Sequence, residues 1–177
     1  MFLLVGGAIV FYILGQILVQ KTGREFYEKE NCGIYDFLHI NLYDIHEHRW
    51  IVDVFGLLVL IYSLLNTDFL QKLLFIKIFS ILVIIRSITI QLNIFPKYKN
   101  CNRKTFSEII IKGPYDKLYS GHFAFSYLWM LLLGLSPSIS IPLNILNGLL
   151  IIASRRHYTV DILTSFLITT VLYDRLS

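Results

Sequence analysis

The sequence predicts an all-α integral membrane protein, a bundle of six transmembrane helices in a single domain over residues 1–177. Three observations carry this expectation. Hydrophobic residues make up 55% of the chain and mean hydropathy is +0.63. Only 16% of residues are charged, where soluble domains carry about a quarter. The apolar residues fall in runs separated by polar loops, a membrane pattern and not that of a large soluble core.

The first run, residues 1–19, can cross, since about 20 residues at 1.5 Å each span a hydrocarbon layer of roughly 30 Å. It lacks a charged start and a small-residue cleavage site, so it reads as a retained helix and not a signal peptide. A polar stretch follows from Lys21 to Arg49. The second run covers residues 51–65, with Asp53 near its start, and Asn66-Thr67-Asp68 forms a polar turn. The third covers 69–94 and carries Lys77 and Arg86. After the long polar loop Pro96–Tyr119 come three shorter runs at about 120–135, 139–153 and 158–174, joined by Ser136-Pro137-Ser138 and Ser154–His157. The chain shows no internal repeat and no low-complexity linker.

Six crossings put both termini on one face and the loops 21–49, 96–119 and 154–157 on the other. His122 and His157 then share a side. The net charge of +4 sits in loops between apolar runs, which favours lipid phosphates over nucleic acid as its partner. That face holds most of the cations, which by the positive-inside rule argues for the cytoplasm. Cys32 and Cys101 both lie in loops and form no CxxC pair. Asp44-Ile45-His46-Glu47-His48 has the residue types of a metal site but no fixed geometry, so no metal and no cofactor is expected.

Two constellations stand at helix mouths: Ser120-Gly121-His122, and Ser154-Arg155-Arg156-His157-Tyr158-Thr159-Val160-Asp161. Asp161 follows His157 by four residues, one helical turn, so the carboxylate can fix the imidazole tautomer and make the other nitrogen a better nucleophile. Asp161 can equally be a first-turn acid favoured by the helix dipole, with Thr159 as the cap. Arg155 and Arg156 supply phosphate-directed donors. Ser120 and Gly121 can open a helix whose backbone N–H groups bind an anion, with His122 beside it as a proton donor. An interfacial histidine after a plain serine cap is the alternative. Arg86, deep in an apolar run, calls for a functional partner, with snorkelling as the other reading.

Together Tyr119-Ser120-Gly121-His122 and Arg155-Arg156-His157-Tyr158-Thr159-Val160-Asp161 resemble the two catalytic motifs of the sphingomyelin synthase family, a branch of the type 2 phosphatidic acid phosphatase superfamily. Arg86-Ser87-Ile88-Thr89 with Pro96 resembles a third family motif, and Asp116 stands where the family carries an aspartate. Pro114-Tyr115 replaces the usual Cys-Gly. The resemblance implies the six-helix fold of that superfamily and a site in which His157 attacks the donor phosphorus, Asp161 orients it and His122 protonates the departing diacylglycerol. Arg86, Asp116, Ser120, Gly121, Arg155, Arg156 and Tyr158 are then the substrate-binding residues. The implied partners are membrane lipids: a phospholipid donor and ceramide or another lipid alcohol as acceptor. With water as acceptor the same site is a phosphatase or phospholipase C, and a non-catalytic lipid-binding scaffold is the reading from another class. The resemblance also implies an endomembrane or plasma-membrane location with the site on the lumenal or external face, against the cation count.

Overall fold

The computed structural model describes residues 2–27, 36–92 and 118–177, and among them every regular element is helical. The elements are α1 (Phe2–Tyr27), α2 (Phe37–Asn41), a 3₁₀ turn (His46–His48), α3 (Trp50–Asn66), α4 (Phe69–Leu92), α5 (Gly121–Leu132), α6 (Pro137–Ala153) and α7 (Thr159–Leu176). Helix α1 runs well past the 19 residues expected from the sequence. Asp116, Cys32, Cys101 and Pro96 lie outside the described residues.

Each helix end has a local cause. At the α3–α4 hairpin, the Asp68 N–H donates to Gln71 Oε1 (2.9 Å) while the Gln71 N–H donates to Asp68 Oδ1 (2.7 Å), a reciprocal cap. Gln71 Nε2 also donates to the Leu132 carbonyl (2.8 Å), tying this hairpin to the end of α5. Gly134 leaves α5 at φ +59°, a conformation open to glycine, and its N–H closes on the Leu131 carbonyl at 3.0 Å. Pro137 then opens α6 in the first turn, where its missing N–H costs nothing.

Helix α5 is the centre of the packing. On one side Phe75, Ile78 and Leu82 of α4 meet Ala124, Leu128, Trp129 and Leu132, with Phe75 stacked on Trp129 at 3.9 Å. On the other, Phe123 and Tyr127 pack with Val52 of α3, Ile151 and Ile152 of α6 and Ile162 of α7. Helix α1 lies along α4. Burial from both sides fixes the first turn of α5, and with it His122.

The polarity is inverted relative to a soluble domain. Leu57, Leu58, Ile61 and Leu65 of α3 and Leu163 and Leu167 of α7 are exposed, while Gln16, Ser63, Ser87, Asn147, Ser165 and Thr169 are buried. Water does not sustain such an apolar exterior over whole helices, whereas hydrocarbon does, and small polar side chains then suit helix–helix contacts. Among the described residues, two helical segments, His46–Asn66 and Phe69–Leu92, are long and apolar enough to cross a membrane. Leu3–Leu18 and Pro137–Ala153 are apolar but shorter. The expected six spans are therefore not all of full length. Helix α5 has 12 residues, about 18 Å at 1.5 Å each, and α7 ends in Asp174 and Arg175. These features are consistent with a membrane protein.

Candidate active site

The loop Ser154–Tyr158 between α6 and α7 carries the first half of the site. Arg155 has φ +58°, which turns the chain sharply between two adjacent arginines. His157 is buried, and its Nδ1 lies 2.8 Å from Asp161 Oδ2. The Asp161 carboxylate is fully buried and also accepts the N–H groups of Tyr158 (2.9 Å, to Oδ2) and Leu118 (2.7 Å, to Oδ1). Three donors satisfy a group that burial would otherwise make costly. Asp161 is both a first-turn acid of α7 and the partner of the imidazole, but the cap position is Tyr158 and not the expected Thr159, whose hydroxyl goes to Asp36. With the Nδ1 proton directed at the carboxylate, Nε2 of His157 carries the lone pair.

Serine hydroxyls lock the second half to the first. Ser120 caps α5 by accepting the Phe123 N–H (3.3 Å), and its own N–H donates to Ser165 Oγ (2.7 Å) on α7. Ser165 Oγ in turn lies 2.7 Å from the Asp161 carbonyl. Ser120, expected to face substrate, is wholly buried and ties α5 to α7.

His122 stands on the first turn of α5 with 37% of its side chain exposed. Its Nε2 is 3.2 Å from Asp53 Oδ1 and 2.8 Å from Arg156 Nη1. Arg156 grips Asp53 with both nitrogens, Nη1 to Oδ1 at 2.7 Å and Nη2 to Oδ2 at 2.6 Å, and Nη2 also donates to the Arg49 carbonyl at 2.9 Å. Since Arg156 adjoins His157 in sequence and touches His122, the two imidazoles stand at the same end of the bundle. Asp53 is the site residue that sequence reasoning missed. From the sequence it is only an acid near the start of the second apolar run, and its partners lie 69 and 103 positions away.

Arg86 of α4 is buried, its Nε donating to the Tyr119 carbonyl at 3.4 Å and its guanidinium carbon 5.0 Å from the Tyr12 ring centre. Burial pushes the Tyr119 phenol well above its usual range. A Cβ on Gly121 would meet Arg86 Nε at 3.6 Å, so the glycine and the guanidinium are neighbours. Arg86, Gly121 and His122 line a cavity of about 330 Å³ whose other walls are mostly apolar, among them Tyr12, Leu82 and Phe125. That is the size and character of a small-molecule site: apolar walls with a few polar groups at one end.

Two expected substrate contacts are engaged elsewhere. Arg155 is buried, with Nη2 on the Leu42 carbonyl (2.8 Å) and Nε 3.3 Å from Asp44 Oδ2. Tyr158 is buried with its ring 4.7 Å from that of His39. Both belong to a set of ties through which residues 36–49 strap the loop that presents His157. Asp36 accepts the Thr159 N–H (2.5 Å) and hydroxyl (2.7 Å), and the Ile45 N–H donates to the Ala153 carbonyl (3.0 Å). Asp44 and His46 pair at 3.0 Å, and among the described residues there is no group of three or more His, Cys, Asp or Glu that could hold a metal ion.

A buried His–Asp pair at the same end of a helical bundle as a His–Asp–Arg cluster, the latter bordering an apolar cavity, has the parts of a phosphoryl-transfer site working on a lipid. The comparison with known families agrees at that level: residues 115–177 match the model described as PAP2 superfamily C-terminal. Members of that superfamily are phosphatases and phosphotransferases, which supports enzymatic lipid phosphoryl chemistry as a class. The matched stretch contains both histidines and Asp161, whereas Asp53 and Arg86 lie outside it. No curated protein and no solved structure matches the chain.

Proposed function

We propose that this protein is a membrane-embedded lipid headgroup phosphotransferase that moves a phospho-headgroup from a glycerophospholipid to ceramide or a similar lipid alcohol. The observation that carries the reading is Asp161, a fully buried carboxylate on His157 Nδ1, which orients Nε2 for attack. His157 Nε2 attacks the donor phosphorus, the bond from phosphorus to the diacylglycerol oxygen breaks, and His122 gives that oxygen a proton. The product is diacylglycerol and a phosphohistidine carrying the headgroup. The acceptor hydroxyl then attacks phosphorus, its proton passes to His122, and the P–N bond breaks to restore His157. Arg86 and Arg156 offset the charge on the phosphoryl oxygens, while the apolar cavity beside His122 takes hydrocarbon of the donor. In this reading the six apolar helices all cross, the shorter ones completing their spans with polar ends, and the site faces the lumen or exterior.

Hydrolysis is a second reading with an observation behind it. The His122 and Asp53 side chains are 37% and 44% exposed, so water has a route to a phosphohistidine. Purified protein in vesicles of defined phosphatidylcholine and ceramide, with products followed by mass spectrometry, separates the two. Sphingomyelin plus diacylglycerol supports transfer. Diacylglycerol with free phosphocholine, or diacylglycerol formed from phosphatidic acid in a second set of vesicles made with that lipid, supports the hydrolase. An intact lipid pool under all conditions removes both.

A further inference from the structure

The contacts around His122 Nε2 are mutually exclusive in their proton demands. A guanidinium has only donors and stays charged at any relevant pH, so Arg156 Nη1 at 2.8 Å requires Nε2 to be accepting. The imidazole is then neutral with its proton on Nδ1. Asp53 Oδ1 at 3.2 Å requires the reverse, an Nε2–H that donates. The contact with Arg156 is the closer of the two and favours the first of these states. In that state His122 is a poor acid: its one ring proton sits on Nδ1, and giving it up would leave an imidazolate. It becomes a useful acid only when Nε2 also carries a proton, which the neighbouring guanidinium opposes and the carboxylate favours.

We propose that Arg156 is the residue that switches His122 between these states, and that an incoming phosphoryl anion triggers the switch. Resting on the phosphotransfer reading above, the step is a partner exchange. A phosphoryl oxygen draws Nη1 of Arg156 away from His122, Nε2 takes a proton from solvent, and Asp53 Oδ1 accepts the new N–H. His122 is then an imidazolium whose Nδ1–H can pass to the leaving oxygen. After that transfer it is neutral with Nε2–H on Asp53, so Nδ1 can receive the acceptor's proton. The movement required is small. Nη2 of Arg156 keeps its bonds to Asp53 Oδ2 (2.6 Å) and the Arg49 carbonyl (2.9 Å), Nη1 keeps one hydrogen on Asp53 Oδ1 (2.7 Å), and only its second hydrogen trades His122 for phosphate. The proton has a source, because the His122 side chain is 37% exposed while that of Arg156 is 7% exposed. The energetic motive is the strength of charge-assisted guanidinium–phosphate bonds relative to a bond to a neutral imidazole. Without substrate phosphate, the acid is withheld.

The test is ¹⁵N NMR of the full chain, labelled at histidine and held in lipid nanodiscs at fixed neutral pH, with His122 assigned by its loss in His122→Gln. In the wild type, Nε2 of His122 resonates as an unprotonated nitrogen and moves, saturably, to the protonated region as inorganic phosphate is added. In Arg156→Met it is protonated before any phosphate is present, and the phosphate-driven shift is lost. A wild-type resonance that stays in place across the whole titration overturns the proposal, and so does an Arg156→Met spectrum with an unprotonated Nε2. A lipid transfer assay on the same samples keeps the two readings apart. The shift without turnover leaves the exchange standing and removes the transferase; turnover with an unmoved resonance does the opposite.

Discussion

At the scale of single residues, the site divides into what sequence spacing can reveal and what it cannot. His157 and Asp161 are four residues apart, so their pairing was legible from spacing, although His157 stands in the loop just before α7 and its Nδ1 meets the carboxylate of the first turn. Asp53 was not: its partners come from α5 and from the loop before α7, and only the packing of α3 on α5 creates the cluster. Arg155 and Arg156 were indistinguishable as neighbours. The left-handed turn at Arg155 separates them, sending one guanidinium to Leu42 and Asp44 and the other to Asp53 and His122. Asp161→Asn is expected to lower kcat by about 100-fold or more, because an amide cannot balance an imidazolium and offers one acceptor oxygen where three N–H groups converge. Stopped-time transfer assays on protein checked for normal gel-filtration behaviour measure this, and an active Asn variant would reduce Asp161 to a helix cap. Asp53→Asn should leave lipid affinity near normal but cut kcat by a comparable factor, since it takes the proton partner from His122. A rise in KM with unchanged kcat would place Asp53 in substrate binding instead.

At the scale of elements, residues 36–49 read as part of an undifferentiated loop because their order is tertiary. Their anchors lie more than a hundred positions away, in the loop before α7, and no local periodicity announces them. Asp36 is the main pin. It caps α2 through the His39 N–H (2.9 Å) and also receives the N–H and hydroxyl of Thr159 at the start of α7. Burial pushes its carboxyl up, but the bonds from His39 and Thr159 outweigh it and hold the group below its ordinary value near 3.8. A lowered carboxyl adds stability above its unfolded value, and that gain is lost as pH falls through the native one. Asp36→Ala should therefore cost about 2 kcal/mol at neutral pH and progressively less below pH 4, in thermal melts in detergent across that range. A difference that grows on acidification would contradict the sign. Helix α6 has its own close approach. A Cβ on Gly148 would lie 3.3 Å from Ile162 Cγ2 and 3.6 Å from the Phe123 ring. Gly148→Val should destabilise by about 1–3 kcal/mol through overpacking, read in the same melts, while a neutral result would mean that α6 sits further from α5 and α7.

At the scale of the whole molecule, the helical class was legible because long apolar runs admit few other structures. The number of full-length spans was less so: α5 lacks the length of α3 and α4, and α7 lacks their apolar purity. Sidedness stayed a conflict between cation count and resemblance, and α3 can resolve it. The segment His46–Asn66 has 21 residues, about 32 Å at 1.5 Å per residue, enough to separate its ends by a full hydrocarbon layer. Glu47 and Asp68 are both exposed, one at the start of this segment and the other just past its end. Glu47 lies at the end that carries the histidines, since neighbouring Asp44 and Arg49 contact Arg155 and Arg156. In a background with Cys32 and Cys101 changed to serine, Glu47→Cys and Asp68→Cys should then label from opposite sides. If the site is lumenal, an impermeant maleimide added to sealed microsomes, cytoplasmic face outward, reaches Asp68→Cys and spares Glu47→Cys until the membrane is opened. The reverse pattern puts the site in the cytoplasm and makes Lys21, Arg49, Arg155 and Arg156 an ordinary positive-inside signal. Labelling of both in sealed vesicles means that α3 does not cross, and its exposed leucines must then be covered by something other than a bilayer.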